Sequence, residues 1–101
     1  ITGGIEYSGV VPDRNKLEKK YPNPFNPTTT IRVAIPKTGS VSLIVYDVSG
    51  KEITRLINNA PLNAGTFDTK FEGSSLSSGI YFYKLIVDGQ NIATKKMMMI
   101  K

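Results

Sequence analysis

An all-β fold, with antiparallel sheets packed face to face, is the class this sequence predicts. Three observations carry that expectation. From Thr28 onward apolar and polar residues alternate, the period that turns one face of a strand inward. The alternating runs recur roughly every 8–15 residues, separated by Gly, Pro, Asn and Ser, the residues that build turns. No segment repeats its apolar residues at helical spacing.

Residues 1–20 carry the weakest pattern. "ITGGIEYSGVVP" offers a short strand at Ile5–Tyr7 or the end of an upstream domain, and "DRNKLEKK" is charged without an apolar face. The segment is therefore expected to be a linker or the tail of a preceding domain, with one domain over residues 21–101. "YPNPFNPTTT" follows. Pro22, Pro24 and Pro27 fix φ and remove donors. They push Tyr21, Asn23 and Asn26 into extended conformations. The stretch is a stiff lead-in, with Phe25 expected to plug one end of the sandwich.

Thr28–Ile35 sets Ile31, Val33 and Ile35 on one face and Arg32 on the other. After "PKTGS", Val41–Val48 places Val41, Leu43 and Val45 on one face, with Ile44 and Tyr46 opposite. Apolar residues on both faces predict a central strand. "SGK" is a short turn in which Gly50 supplies the permissive backbone. Glu52–Ile57 alternates with some slippage, and "NNAPLNAGT" is expected to be loop. Thr66–Glu72 alternates cleanly. "GSSLSSG" is a loop around Leu76, closing at Gly79. Ile80–Val87 is the most apolar run and predicts a second central strand. Asp88-Gly89 is a strong hairpin signal, and Ile92–Lys101 returns as the last strand. Six strands result, or seven with one before the linker. This is the pattern of an immunoglobulin-like antiparallel β-sandwich, without the Cys…Trp…Cys signature of antibody domains.

The bulk numbers narrow the chemistry. At 101 residues the chain supports one core. It opens on Ile1 with no signal-peptide pattern, which predicts a piece of a larger protein. It has no cysteine and no histidine. The thiol nucleophile, the usual zinc ligands and the commonest general base are therefore missing. The net charge of +5 is concentrated at the end, where Lys84, Lys95, Lys96 and Lys101 face Asp88 alone.

Candidate sites fare poorly against ordinary explanations. Ser74, Ser75, Ser77 and Ser78 could at best join a Ser–Lys pair. Serine clusters in turn-rich connections are commonplace. Asp47, Glu52, Asp68, Glu72 and Asp88 alternate with apolar residues on strand faces, which favours solvated roles over paired-carboxylate chemistry. No calcium loop, P-loop or dinucleotide motif occurs. No cofactor or metal is implied. The sequence pI is about 9.6, but the basic residues are scattered and Tyr81, Phe82 and Tyr83 lie in the most apolar strand. A nucleic-acid surface is not expected.

Four pieces in order, "YPNPFNPTTTIRVAIP", "VSLIVYDVSGKEITRLI", "AGTFDTKFEGSSLSSGIYFYKL" and "TKKMMMIK", closely resemble the type A C-terminal sorting domain of the type IX (Por) secretion system. The resemblance covers Tyr21 to Lys101. The strand-turn-strand portion is also similar to the immunoglobulin-like domain of flagellar hook-capping proteins. The resemblance implies a non-catalytic passenger tag of a Bacteroidota-type bacterium. An attached protein reaches the periplasm, and the folded tag is recognised by the outer-membrane translocon. In many members a sortase-like peptidase removes the tag and anchors the passenger at the cell surface. Lys95, Lys96 and Met97 match the family's "KKM" element, and Met99, Ile100 and Lys101 its tail, so recognition is expected there. Gly50 and Gly79 match turn glycines, while Tyr46, Tyr81, Tyr83 and Leu85 match core positions. Three successive methionines, Met97–Met99, depart from the family's leucine or valine. A structural or carbohydrate-binding accessory module is the alternative, with Tyr7, Tyr21 and Phe25 as its aromatic candidates.

Overall fold

The computed structural model describes residues 5–7, 14–19 and 28–100. Tyr21, Phe25 and Lys101 lie outside the described residues, as does the side chain of Tyr7. Eight strands follow in chain order: β1 (Ile5–Tyr7), β2 (Lys16–Lys19), β3 (Thr28–Ile35), β4 (Gly39–Asp47), β5 (Glu52–Leu62), β6 (Gly65–Glu72), β7 (Gly79–Val87) and β8 (Gln90–Met99). They form two four-stranded sheets, β1-β6-β3-β2 and β5-β4-β7-β8, and every pairing is antiparallel.

The inward rows make one core. Ile31, Val33 and Ile35 of β3 and Phe67 and Phe71 of β6 meet Val41, Leu43 and Val45 of β4 and Tyr81, Tyr83 and Leu85 of β7, all buried. Side chains from the two inner faces thus fill a single core between the sheets, as in a β-sandwich. Lettered in the immunoglobulin manner, β2, β3 and β6 are strands A, B and E, and β5, β4, β7 and β8 are C′, C, F and G. Beside E, where an immunoglobulin constant domain places D, the amino-terminal β1 pairs instead: Ile5 opposite Thr69 and Tyr7 opposite Phe67.

Two local readings change. Within residues 1–20 the strand offered at Ile5–Tyr7 is present as β1, and β2 adds a second strand of the first sheet that the charged pattern did not suggest. Leu17, opposite Val33 in β3, is only 4% exposed and completes the core. One apolar residue suffices in a four-residue edge strand, so charged neighbours hid it. Next, the loop expected from Asn58 is strand as far as Leu62, paired back to Gly39. The β4–β5 ladder shifts register three times, and such bulges break the period-two signal. Asn59 takes the extra turn with φ of 47°, its amide donating to Ser42 Oγ at 2.9 Å. Pro61 is tolerated because β5 is an edge strand. The described strands thus number eight, β2 being added to the seven that include Ile5–Tyr7.

The turns match their residues. Asp88 and Gly89 both have positive φ, 52° and 79°, as a two-residue type I′ hairpin demands. The β4–β5 turn folds around Asp47, with Gly50 at φ 89°. Gly79 opens β7 at φ 151°.

Candidate functional site

Among the described residues β8 forms an edge of the second sheet, hydrogen-bonded on one side to β7. The Asp88-Gly89 hairpin fixes its register, with Val87 opposite Gln90. One bulge between Leu85 and Ile86 then sets which side chains of β8 turn inward. Beyond it Ala93, Lys95, Met97 and Met99 stand opposite Leu85, Tyr83, Tyr81 and Gly79, in the row that faces the other sheet. Thr94, Lys96 and Met98 stand opposite Lys84, Phe82 and Ile80, in the outward row.

The six residues expected to act in recognition therefore divide. Met97 and Met99 are 2% and 1% exposed and belong to the core. Of the two readings open for these methionines, a docking strand or core filling, the burial favours the second: these two side chains peg the edge strand to the sandwich. Burying a methionine contributes about 1.5–3 kcal/mol, and its flexible thioether fits the irregular space at a sheet margin. Lys95 and Lys96 are exposed. Lys95 occupies an inward row position yet reaches solvent, and an inward-pointing charge on an edge strand hinders pairing with another copy. Met98 and Ile100 are 44% and 49% exposed. Sequence reasoning did not single out Met98. Only the bulge, which decides the direction of all three methionines, reveals it.

The candidate catalytic groups are engaged in local structure. Asp47 Oδ1 accepts from Ser49 N at 2.9 Å, Ser49 Oγ at 2.6 Å and Lys51 N at 3.0 Å. These bonds, the Ser49 hydroxyl foremost, hold its carboxyl below the usual range. Glu52 pairs with Arg55 at 2.9 Å and Asp68 with Arg32 at 2.9 Å. Glu72 accepts from Thr28 Oγ1 at 2.9 Å and Ser74 N at 3.0 Å, the first bond doing most to lower its pKa. Asp88 Oδ1 accepts from Ser40 N at 2.9 Å. Each carboxylate is thus engaged in a turn, a strand pair or, for Glu52, a pair within β5; Asp47 and Glu52 also line one shallow cleft with Lys51, Ser75 and Ser77. Ser74, Ser75, Ser77 and Ser78 are exposed in the β6–β7 loop. Among the described residues no group of three or more carboxylates could hold a metal ion. A shallow cleft at the β5–β6 seam is lined by Ile53, Leu56, Phe71 and Leu76 with Glu72 and Ser75 at its rim. It holds neither a nucleophile–base pair nor a pair of facing carboxylates.

What remains is an edge strand with lysines and apolar residues on its exposed side and two methionines anchoring it. A comparison with protein-family models matches the secretion system C-terminal sorting domain over residues 19–101. The chain belongs to that family. It is a C-terminal sorting signal for type IX secretion, which implies an exported protein that is secreted or held at the cell surface. Such sorting domains are in general not catalysts, and they work with the secretion machinery and an upstream passenger. A comparison with curated proteins found no match. The family match opens at Lys19, the last residue of β2. The sorting domain's sheet nevertheless continues upstream, through the rest of β2 and β1.

Proposed function

We propose that the outer-membrane translocon reads this sorting domain along β8 and the residues after it, through Lys95, Lys96, Ile100 and Lys101, with Met97 and Met99 holding the strand in place. The passenger precedes the domain and follows it out through the periplasm. A sortase-like peptidase then separates the two or transfers the passenger to the cell surface. The producing cell is of Bacteroidota type. The single observation that carries the recognition step is the position of β8 at a sheet edge. A partner can add a strand to such an edge and use alternate side chains for specificity.

The test is an export assay. The chain is fused behind a signal peptide and a fluorescent passenger in a bacterium with a working type IX system. Ending the fusion at Thr94 removes Met97 and Met99, so loss of export there would also follow from loss of the core. The decisive variant is Lys95→Ala/Lys96→Ala/Ile100→Ser, which leaves both methionines in place. The expected result is passenger retained in the periplasm, with the variant domain still folded by circular dichroism. Undiminished export of this variant would overturn the recognition proposal.

A further inference from the structure

The two outward faces of the sandwich differ in kind. On the first sheet, the outward residues of β3 and β6 are mostly polar and pair across the strands. Arg32 meets Asp68 in a bidentate pair at 2.9 and 3.3 Å, Thr28 bonds Glu72, and Thr30 stands opposite Lys70. That face satisfies itself. The second sheet has rows of another composition. One runs Glu52, Tyr46, Phe82, Lys96 across the four strands, and the next runs Arg55, Ile44, Lys84, Thr94. Ile80 opposite Met98 extends the surface toward the end of β8.

Ile44 lies at the centre of this face and is only 2% exposed, although no third layer covers the sheet among the described residues. Its neighbours enclose it. Tyr46, Phe82 and Ile86 are half-buried around it, and the Lys84 ammonium sits 5.1 Å from the Tyr46 ring centroid. An aliphatic and aromatic surface rimmed by lysines marks an interaction site rather than a solvated sheet face. Glu52 and Arg55 neutralise one another at 2.9 Å. The net charge of these rows is therefore positive, from Lys84 and Lys96, with Lys95 beside them on the edge.

We propose that this outward face of β5-β4-β7-β8 docks on an acidic protein surface of the export machinery, continuous with the strand-edge contact of β8. The inference rests on the sorting-signal reading and adds a second, flat contact to it. Charge complementarity selects the partner. Three lysines fall short of the 4–8 clustered cations, roughly, that hold a protein to an anionic membrane, and of the 6–10 or so phosphate contacts of a firm nucleic-acid binder. A second copy of the same basic face would be repelled.

The test uses the same passenger fusion, with the whole chain. Lys84→Glu reverses the charge at the centre of the docking face without touching β8, and Lys84→Arg preserves it. Lys70→Glu, on the opposite face, is the control. Thermal melts establish that each variant folds. The expected result is an export loss of about ten-fold or more for the glutamate variant, near-normal export for the arginine variant and the control, and unchanged melting for all. Phe82→Ser, which leaves every charge in place, should also lose export. Normal export by the glutamate and serine variants alongside a retained Lys95→Ala/Lys96→Ala/Ile100→Ser variant would overturn the docking face and leave the edge reading standing. Failure of the unaltered domain to export its passenger would overturn both. Co-sedimentation of the isolated chain with phosphatidylglycerol vesicles at physiological salt, lost in the glutamate variant, would replace the protein partner with a lipid surface. Self-association through this face in analytical ultracentrifugation would replace it with a second copy. Either result overturns the proposal.

Discussion

The Tyr81 hydroxyl donates a 2.5 Å hydrogen bond to the Ser77 carbonyl, four residues upstream at the entry to β7. Immunoglobulin-like sandwiches place a tyrosine at this corner, where it ties the start of strand F to the loop before it. Its ring is buried opposite Met97, so one residue joins the β6–β7 loop to the edge strand. Tyr81→Phe keeps the ring and removes the bond. The expected cost is about 1–1.5 kcal/mol, or a melting temperature lower by roughly 4–12 °C in a domain of this size. An unchanged urea midpoint would show that the loop holds its shape without Tyr81.

The three consecutive methionines should separate sharply in stability. Met97→Ala and Met99→Ala open cavities in the core and are each expected to cost about 2–5 kcal/mol. Met98→Ala, on the exposed outward row, is expected to stay within about 0.5 kcal/mol. Chemical denaturation of the three variants measures this directly. Equal effects across all three would mean that the register of β8 past the bulge is wrong.

Leu17 tests where the folded unit begins. It stands opposite Val33 at the edge of the first sheet and is 4% exposed. Leu17→Ala should destabilise the chain by about 2–4 kcal/mol, and removal of residues 1–19 should lower the melting temperature further. A chain trimmed to Lys20 that melts like the full one would return β2 to the status of linker.

β3 and β6 were legible in the sequence through their alternation, and β4 and β7 through apolar residues on both faces, each strand turning at least two apolar side chains into one core. The Asp88-Gly89 turn was legible because few residue pairs tolerate two successive positive φ angles. What escaped was set by tertiary context. Leu17 is a lone apolar residue among charges, and it reads as core only once Val33 is seen beside it. Asn58 to Leu62 read as loop because bulges interrupt the period. At the candidate site, the lysines and methionines were found by resemblance. Their directions were not, since the bulge opposite Leu85 and Ile86 fixes them.

Tyr83 predicts an alkaline effect. Its ring is wholly buried, and its hydroxyl has no hydrogen-bond partner among the described residues. Burial pushes the phenol pKa well above its ordinary value. The folded pKa exceeds the unfolded one, so this contribution to stability is intact below about pH 10 and is lost progressively above it, as the unfolded phenol ionises first. Tyr83→Phe removes both the titration and an unsatisfied buried hydroxyl. Near neutrality the variant should be as stable as the parent, or more stable by up to about 1 kcal/mol. Its stability should fall less steeply than the parent's above about pH 10. Parallel curves for the two proteins would mean that the hydroxyl reaches water.

Asp47 predicts the acid limb. Its carboxylate gathers the Ser49 hydroxyl and the Ser49 and Lys51 amides into one turn, and those bonds lower its pKa from 3.8. A folded pKa below the unfolded one gives stability that is present above the unfolded value and is lost as pH falls through the folded value. Asp47→Asn retains an oxygen that can accept these bonds but carries no charge. The variant should be less stable than the parent at neutral pH, and the gap should close on acidification below the ordinary carboxylate range. Glu72, lowered through Thr28 and Ser74, titrates in both proteins and so cancels in the comparison. Urea midpoints across the acid range measure the gap. One that persists unchanged at low pH would assign the difference to the shape of the asparagine rather than to the charge of the aspartate, and the turn would then be held by geometry alone.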